Sequence, residues 1–169
     1  VITGTNDVPV ITGGDAIGAV TEGVVVKPPE GPSEGGSEGP GPLLVDTGAL
    51  TFTDLDLTDT HSVSRLLLTT AWTGGETVPA ATLAALADAL AVNLGSDATG
   101  GASGRIDWTF TLADRHADFL AAGETLTVTY QVTVADDSGA ANGTTTRDVT
   151  VVITGTNDVP VITGGDAIG

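Results

Sequence analysis

Apolar and polar residues alternate without a miss in two stretches of the chain. Ile106, Trp108, Phe110 and Leu112 interleave with Asp107, Thr109 and Thr111. Leu126, Val128, Tyr130, Val132 and Val134 interleave with Thr125, Thr127, Thr129, Gln131 and Thr133. A period of two sends one set of side chains to a core and the other to water, which is the signature of a half-buried antiparallel strand. Weaker runs of the same type predict strands at 19–26, 49–53, 63–70 and 146–154. About seven short strands of this kind fit two packed sheets.

The pattern breaks twice. Residues 79–94 space Leu83, Leu86, Leu90 and Leu94 at three- and four-residue steps among alanines, with Gly95 as a stop signal. That spacing predicts one amphipathic helix capping an edge or end of the sandwich, its leucines packed into the core. Residues 27–42 (KPPEGPSEGGSEGPGP) carry five glycines and five prolines. Such a segment cannot bury enough apolar area to offset its ordering entropy, so it reads as an exposed, flexible insertion.

A longer pattern frames both. Residues 1–18 and residues 152–169 are the same eighteen letters, VITGTNDVPVITGGDAIG, offset by 151 positions. The economical explanation is one period of a tandem array. Residues 1–7 then form the tail of a preceding repeat, 8–158 one β-sandwich repeat, and 159–169 the start of the next. Chains of near-identical copies serve as spacers, stalks or multivalent binders more often than as catalysts. The first residue is valine rather than methionine, which fits a fragment of a longer chain.

Composition narrows the partners. With 40% apolar residues a core can form, while five Lys and Arg against 22 Asp and Glu give a net charge of −17. That charge repels phosphate, which argues against nucleic-acid binding and against an anionic membrane surface. Cysteine is absent, removing disulfides and thiolate metal sites. No apolar run reaches the ~18 residues of a membrane span. The isolated repeat is expected to be a monomer whose partners are neighbouring copies of itself.

The aspartates gather in turns: Asp54, Asp56 and Asp59 in TFTDLDLTDTH, Asp114 in LADRH, Asp136 and Asp137 in VADDSG, and Asp7 and Asp158 in the two TNDVP junctions. Hard oxygen ligands collected in loops suit calcium, which takes six to eight oxygens in a flexible shell. Bound divalent cations would also relieve the self-repulsion of so acidic a chain. The plain alternative is that Asp, Asn and Gly favour turns for conformational reasons.

In this order GALTFTDLDLTDTHSVS, WTF, LAAGETLTVTYQVTVADDSG and TTTRDVTVVITGTNDVPVI resemble a VCBS repeat of large bacterial surface adhesins, over residues 8–158. That family is similar to the cadherin-like sandwich modules of long RTX adhesins. The resemblance implies an all-β, Greek-key immunoglobulin- or cadherin-like sandwich with one short inserted helix. It also implies an extracellular extender on the bacterial cell surface, exported by the type I pathway and stiffened by calcium, in proteins of adhesion and biofilm formation. By the cadherin pattern, Asn6 and Asp7 would share ions with Asp54, Asp56 and Asp136. Asn157 and Asp158 would share ions with Glu22 and Asp114, where the next repeat docks. Two positions depart from the pattern. Gly4 and Gly155 stand where a cadherin linker has its first Asp, and Asp114-Arg115-His116 lacks the glutamate of an Asp-Arg-Glu element.

No reactive constellation competes with this reading. There is no Walker A loop or HExxH pair, and the letters Gly-x-Ser-x-Gly occur only at 31–35 and 35–39, inside the Gly/Pro-rich segment and away from any strand-to-helix pattern, so an enzyme is not expected. His61 and His116 read as surface or loop residues and Trp108 as core, leaving Trp72 as the plausible exposed aromatic. The expected function is a calcium-stabilised tandem-repeat stalk that spaces a distal ligand-binding region from the cell. The alternative is a repeated weak carbohydrate- or partner-binding module acting through Trp72 or the acidic loops.

Overall fold

The computed structural model describes residues 1–23, 42–75 and 77–159. The Gly/Pro insertion expected at 27–42 lies outside the described residues except for Pro42, as does all but Val159 of the following repeat.

The strands are β1 (Val10–Gly14), β2 (Ile17–Thr21), β3 (Leu43–Thr53), β4 (His61–Trp72), β5 (Leu90–Ser96), β6 (Gly104–Ala113), β7 (Thr125–Asp136) and β8 (Thr144–Thr154), with one helix, α1 (Ala80–Ala89). They form two four-stranded sheets, ordered β1-β3-β6-β5 and β2-β8-β7-β4. This is the immunoglobulin arrangement, in which the first strand splits between the sheets and later strands cross from one sheet to the other. The short opening strand switches sheets between Gly14 and Ile17. β1 runs antiparallel to β3, whereas β2 runs parallel to β8, pairing Ile17 with Thr150 and Thr21 with Thr154.

Both perfectly alternating stretches are strands, and their apolar sets form the two inner faces. Trp108, Phe110, Leu126, Val128, Tyr130, Val132 and Val134 are all essentially sealed from solvent, facing Phe52, Val149, Val151 and Ile153. The indole of Trp108 lies flat on Gly48, where an added Cβ would come within 2.4 Å of the ring, and its N–H donates to the Asp15 carbonyl. Gly48 therefore has no side chain because the largest core residue occupies that space.

Three expectations are corrected. The helix covers 80–89 and not 79–94. Leu90 and Leu94 instead face the core from β5, paired with Phe110 and Ile106 of β6, and Gly95 lies inside a strand. The strand expected at 19–26 is Ile17–Thr21 among the described residues, and β1 precedes it, so the described residues form eight strands.

Chain direction sets up two ends. At the entry end, the start of β1 meets the close of β3, the start of β4 and the close of β7. At the exit end, the closes of β2 and β8 meet the start of β7. The turn aspartates sit at these two ends.

Candidate metal sites at the two ends of the sandwich

At the entry end, the loop joining β3 to β4 carries Asp54, Asp56 and Asp59, and the turn after β7 carries Asp136 and Asp137. Asp54, Asp59 and Asp136 each offer a carboxylate oxygen, and these atoms all lie within 4.8 Å of one another. The chain entering from residue 1 reaches the same place. The Asp7 N–H donates to Asp56 Oδ2 at 2.7 Å, the Asn6 amide donates to Asp136 Oδ2 at 3.2 Å, and the Asn142 amide donates to the Asn6 carbonyl at 2.9 Å. All five residues predicted for this end are thus brought together.

The loop holds its shape through further bonds. Asp54 is buried; its Oδ1 accepts the Asp56 N–H, and its Oδ2 faces His61 Nε2 at 3.0 Å. The other ring nitrogen of His61 meets Asp97 Oδ1 at 2.6 Å. His61 is therefore no surface residue, as the sequence suggested. It opens β4, buried between two carboxylates and against the Phe52 ring. Burial favours its neutral form, but the hydrogen bonds and charges of Asp54 and Asp97 outweigh that and hold its pKa above the usual 6.5. Asp136 is likewise desolvated, yet the Ser138 hydroxyl and the Asn6 amide lower its pKa below 3.8. The Thr60 N–H and hydroxyl lower that of Asp137. Asp59 differs. Its Oδ2 is buried with no hydrogen-bond partner, and desolvation with the negative charges of Asp56, Asp137, Asp136 and Asp54 raises its pKa.

At the exit end, Glu22 follows β2 and Asp114 follows β6, only 2% and 1% exposed. Each carboxylate accepts one backbone bond: Glu22 Oε2 from the Thr156 N–H at 2.9 Å, and Asp114 Oδ1 from the Gly23 N–H at 2.9 Å. The remaining oxygens, Glu22 Oε1 and Asp114 Oδ2, are buried without a partner, as is Thr156 Oγ1. Burial raises the pKa of Glu22 against the Thr156 bond, helped by the charges of Asp158, Asp118 and Asp114. Burial and the charges of Asp114 and Asp158 raise that of Asp118 as well. Glu22, Asp114 and Asp158 therefore share one electrostatic environment. The Asn157 amide turns back onto the Asp158 carbonyl, the bond that Asn6 makes to Asp7 in the other copy of the motif.

Gly155 has a steric reason to be glycine. An added Cβ on Gly155 would meet Leu120 Cβ at 2.5 Å and the Ala121 carbonyl oxygen at 2.6 Å, so an aspartate has no room there. Asp118, two residues after His116, is close enough to Asp114 and Asp158 to feel the charge of both.

Sequence reasoning left Asp59 and Asp118 out of the ligand sets, and with them Asp97. Asp59 had a signal, three residues after Asp56 in the same loop. Asp118 lies four residues after Asp114, in the turn that follows the short 3-10 helix Asp114–His116. Asp97 had none, because it meets His61 only through the pairing of β5.

Trp72 is not an exposed aromatic. Its N–H donates to Glu124 Oε2 at 3.0 Å, its ring packs edge-on against Phe119 at 5.0 Å, and Gly75 lies against the ring.

Buried carboxylate oxygens without donors are costly unless a cation or proton meets them. An all-oxygen donor set at the ends of loops fits a hard cation such as calcium.

No protein-family model matches the chain, and no curated protein matches it in sequence. Among solved structures it is similar to AggA, the major subunit of aggregative adherence fimbriae type I from Escherichia coli. That match has 14% identity and a TM-score of 0.40, over 90% of this chain and 97% of the fimbrial one.

Proposed function

We propose that this chain is one period of a tandem-repeat extender, a stalk module of a bacterial surface adhesin whose stiffness depends on calcium. It spaces a distal ligand-binding region from the cell and performs no catalysis. The observation that carries the reading is the pair of buried, donorless oxygens of Glu22 and Asp114, beside a TND motif that the sequence repeats at the entry end. In series, Asn157 and Asp158 of one period are Asn6 and Asp7 of the next. A single Asn-Asp thus serves the exit carboxylates of one domain and the entry carboxylates of its successor. Glu22, Asp114, Asp118 and Asp158 would hold an ion at the exit. Asp54, Asp56, Asp59 and Asp136, with Asn6 and Asp7, would hold ions at the entry.

Calcium supplies one thing here, positive charge among oxygens that otherwise repel each other. Extracellular modules bind it with dissociation constants of about 10⁻⁴–10⁻³ M, so millimolar calcium outside a cell fills such sites and the low calcium inside leaves them empty. The chain would then stay loose during export and stiffen afterwards. A thermal melt in chelator and then in millimolar calcium, with magnesium as control, tests this. A calcium-specific rise in Tm supports the reading. An unchanged Tm overturns it and returns the aspartates to ordinary turn formation.

A further inference from the structure

The entry end carries two leucines that its own domain does not cover. Leu55 is 77% exposed and Leu57 62%, on either side of Asp56. Asp56 is the residue that takes the incoming Asp7 N–H. Two large apolar side chains at the point where a chain enters would lie against whatever precedes that chain.

The sequence says what precedes it. Residues 152–158 and 1–7 are identical, so in series Asp158 of one period takes the place of Asp7 in the next. It lies only three positions after Gly155. Gly155 is fixed to its own domain, its N–H donating to the Glu124 carbonyl and its carbonyl accepting from the Gly123 N–H. At about 3.3–3.6 Å per residue, the tether from Gly155 to Asp158 spans at most ~11 Å. The Asp56 loop of the second period must then sit beside the Gly155 exit of the first. The turn already bonded to that exit is Ala121-Ala122-Gly123, small, without charge and exposed.

We infer that Leu55 and Leu57 of one period pack onto the Ala121–Gly123 turn of the period before it, giving the array an apolar inter-repeat contact in addition to any shared ion. The occupant of the leucine face is thus a second copy of this chain, in series. Calcium would neutralise the carboxylates around the tether, and the leucine contact would fix the angle at which the neighbour sits. The inference rests on the tandem-stalk reading but does not require calcium.

The test uses a chain of two periods, residues 1–158 followed by residues 8–169. The natural sequence has no cysteine, so one can be placed at Ala122 of the first period and one at Thr58 of the second for spin labels. The interlabel distance distribution is then measured in calcium and in chelator. With natural leucines, a single narrow distance is expected in calcium. Leu55→Ser with Leu57→Ser in the second period should broaden it several-fold and leave both domain melting temperatures unchanged. The same pair in the first period, whose leucines face no predecessor, should change nothing. A broad distribution in the unsubstituted chain overturns the contact, as does a narrow one that the second-period serines leave intact. Equal effects from either period overturn it as well. Failure of the calcium reading has a different signature, identical distributions and melts in calcium and chelator.

Discussion

Replacing Glu22 by glutamine should reverse in sign between calcium and chelator. Without metal, the Glu22 carboxylate is buried, accepts one bond from Thr156, and leaves Oε1 with no donor beside Asp114, Asp118 and Asp158. Glutamine keeps the acceptor for Thr156, removes the charge, and offers an amide that the orphan Oδ2 of Asp114 can accept. An unsatisfied buried acceptor costs about 1–3 kcal/mol, so Glu22→Gln in chelator should gain about 1 kcal/mol. For a domain of this size that is a rise of about 2–4 °C in Tm. In calcium the balance changes. An ion bound with a dissociation constant of about 0.1–1 mM contributes about 1.4–2.7 kcal/mol at about 10 mM calcium. A variant that has lost one of the ion's charged ligands forfeits most of that. The variant should therefore lead in chelator and trail by up to about 2 kcal/mol in calcium, read by calorimetry in the two buffers. A variant that keeps the same lead in both would refute the exit site, because the carboxylate would then be a buried charge with nothing to bind.

The pH profile in chelator should show the same frustration. Glu22, Asp118 and His61 have folded pKa values above 4.5, 3.8 and 6.5, so each contributes stability that is full below those values and lost as pH rises through the folded one. The Tm should therefore climb as pH falls from 8 toward 5. It should then drop below about pH 4 as Asp97, Asp136 and Asp137, whose pKa values lie below 3.8, begin to protonate. Asp59→Asn removes the donorless carboxylate at the entry end, so it should hold or raise Tm in chelator and reduce the calcium-induced rise; an undiminished rise removes Asp59 from the ligand set. Gly155→Asp, which restores the cadherin-type residue, should lower stability by about 1–3 kcal/mol even in saturating calcium, since Leu120 and Ala121 fill the space. A calcium-dependent gain from that substitution would contradict the steric explanation.

How much of this could be read from the chain alone depended on whether local pattern and tertiary pairing agreed. In β6 and β7 they agree: strict alternation, β-branched and aromatic residues inward and threonine outward leave one register. At 90–94 they do not. Leu90 and Leu94 continue the helical four-residue step from Leu86, yet Leu90, Val92 and Leu94 also alternate with Ala91 and Asn93. Pairing with Phe110, Trp108 and Ile106 of β6 decides for the strand. β1 carries little signal because its sequence, VITGG, ends in two glycines, and its role in switching sheets appears only with β3 and β8 in place. The candidate sites divide along the same line. Residues adjacent in one loop, such as Asp54 and Asp56, were legible. His61 was misplaced because its burial depends on Asp97, 36 positions away.

The two ends are not equivalent, and on the proposed reading the difference predicts where calcium would matter most. At the entry, most carboxylates already have donors: His61 for Asp54 and Asp97, the Asp7 N–H for Asp56, Asn6 and Ser138 for Asp136, and Thr60 for Asp137. At the exit, Glu22 and Asp114 have one backbone bond each and a buried oxygen to spare. Removing calcium should therefore loosen the exit first. The amides that report it are those of Gly23 and Thr156, which donate to Asp114 and Glu22. Hydrogen exchange in chelator should find these two opening well below the global unfolding free energy, and calcium should slow them at least tenfold. The Asp56 amide, held by Asp54 within the loop, should change less. Equal calcium protection at both ends would mean that the donors at the entry do not substitute for the ion, and the asymmetry argued from the orphan oxygens would fail. If the difference holds, loss of calcium frees the last residues of each period before its sandwich, so an array would lose its stiffness at the junctions while its domains stay folded.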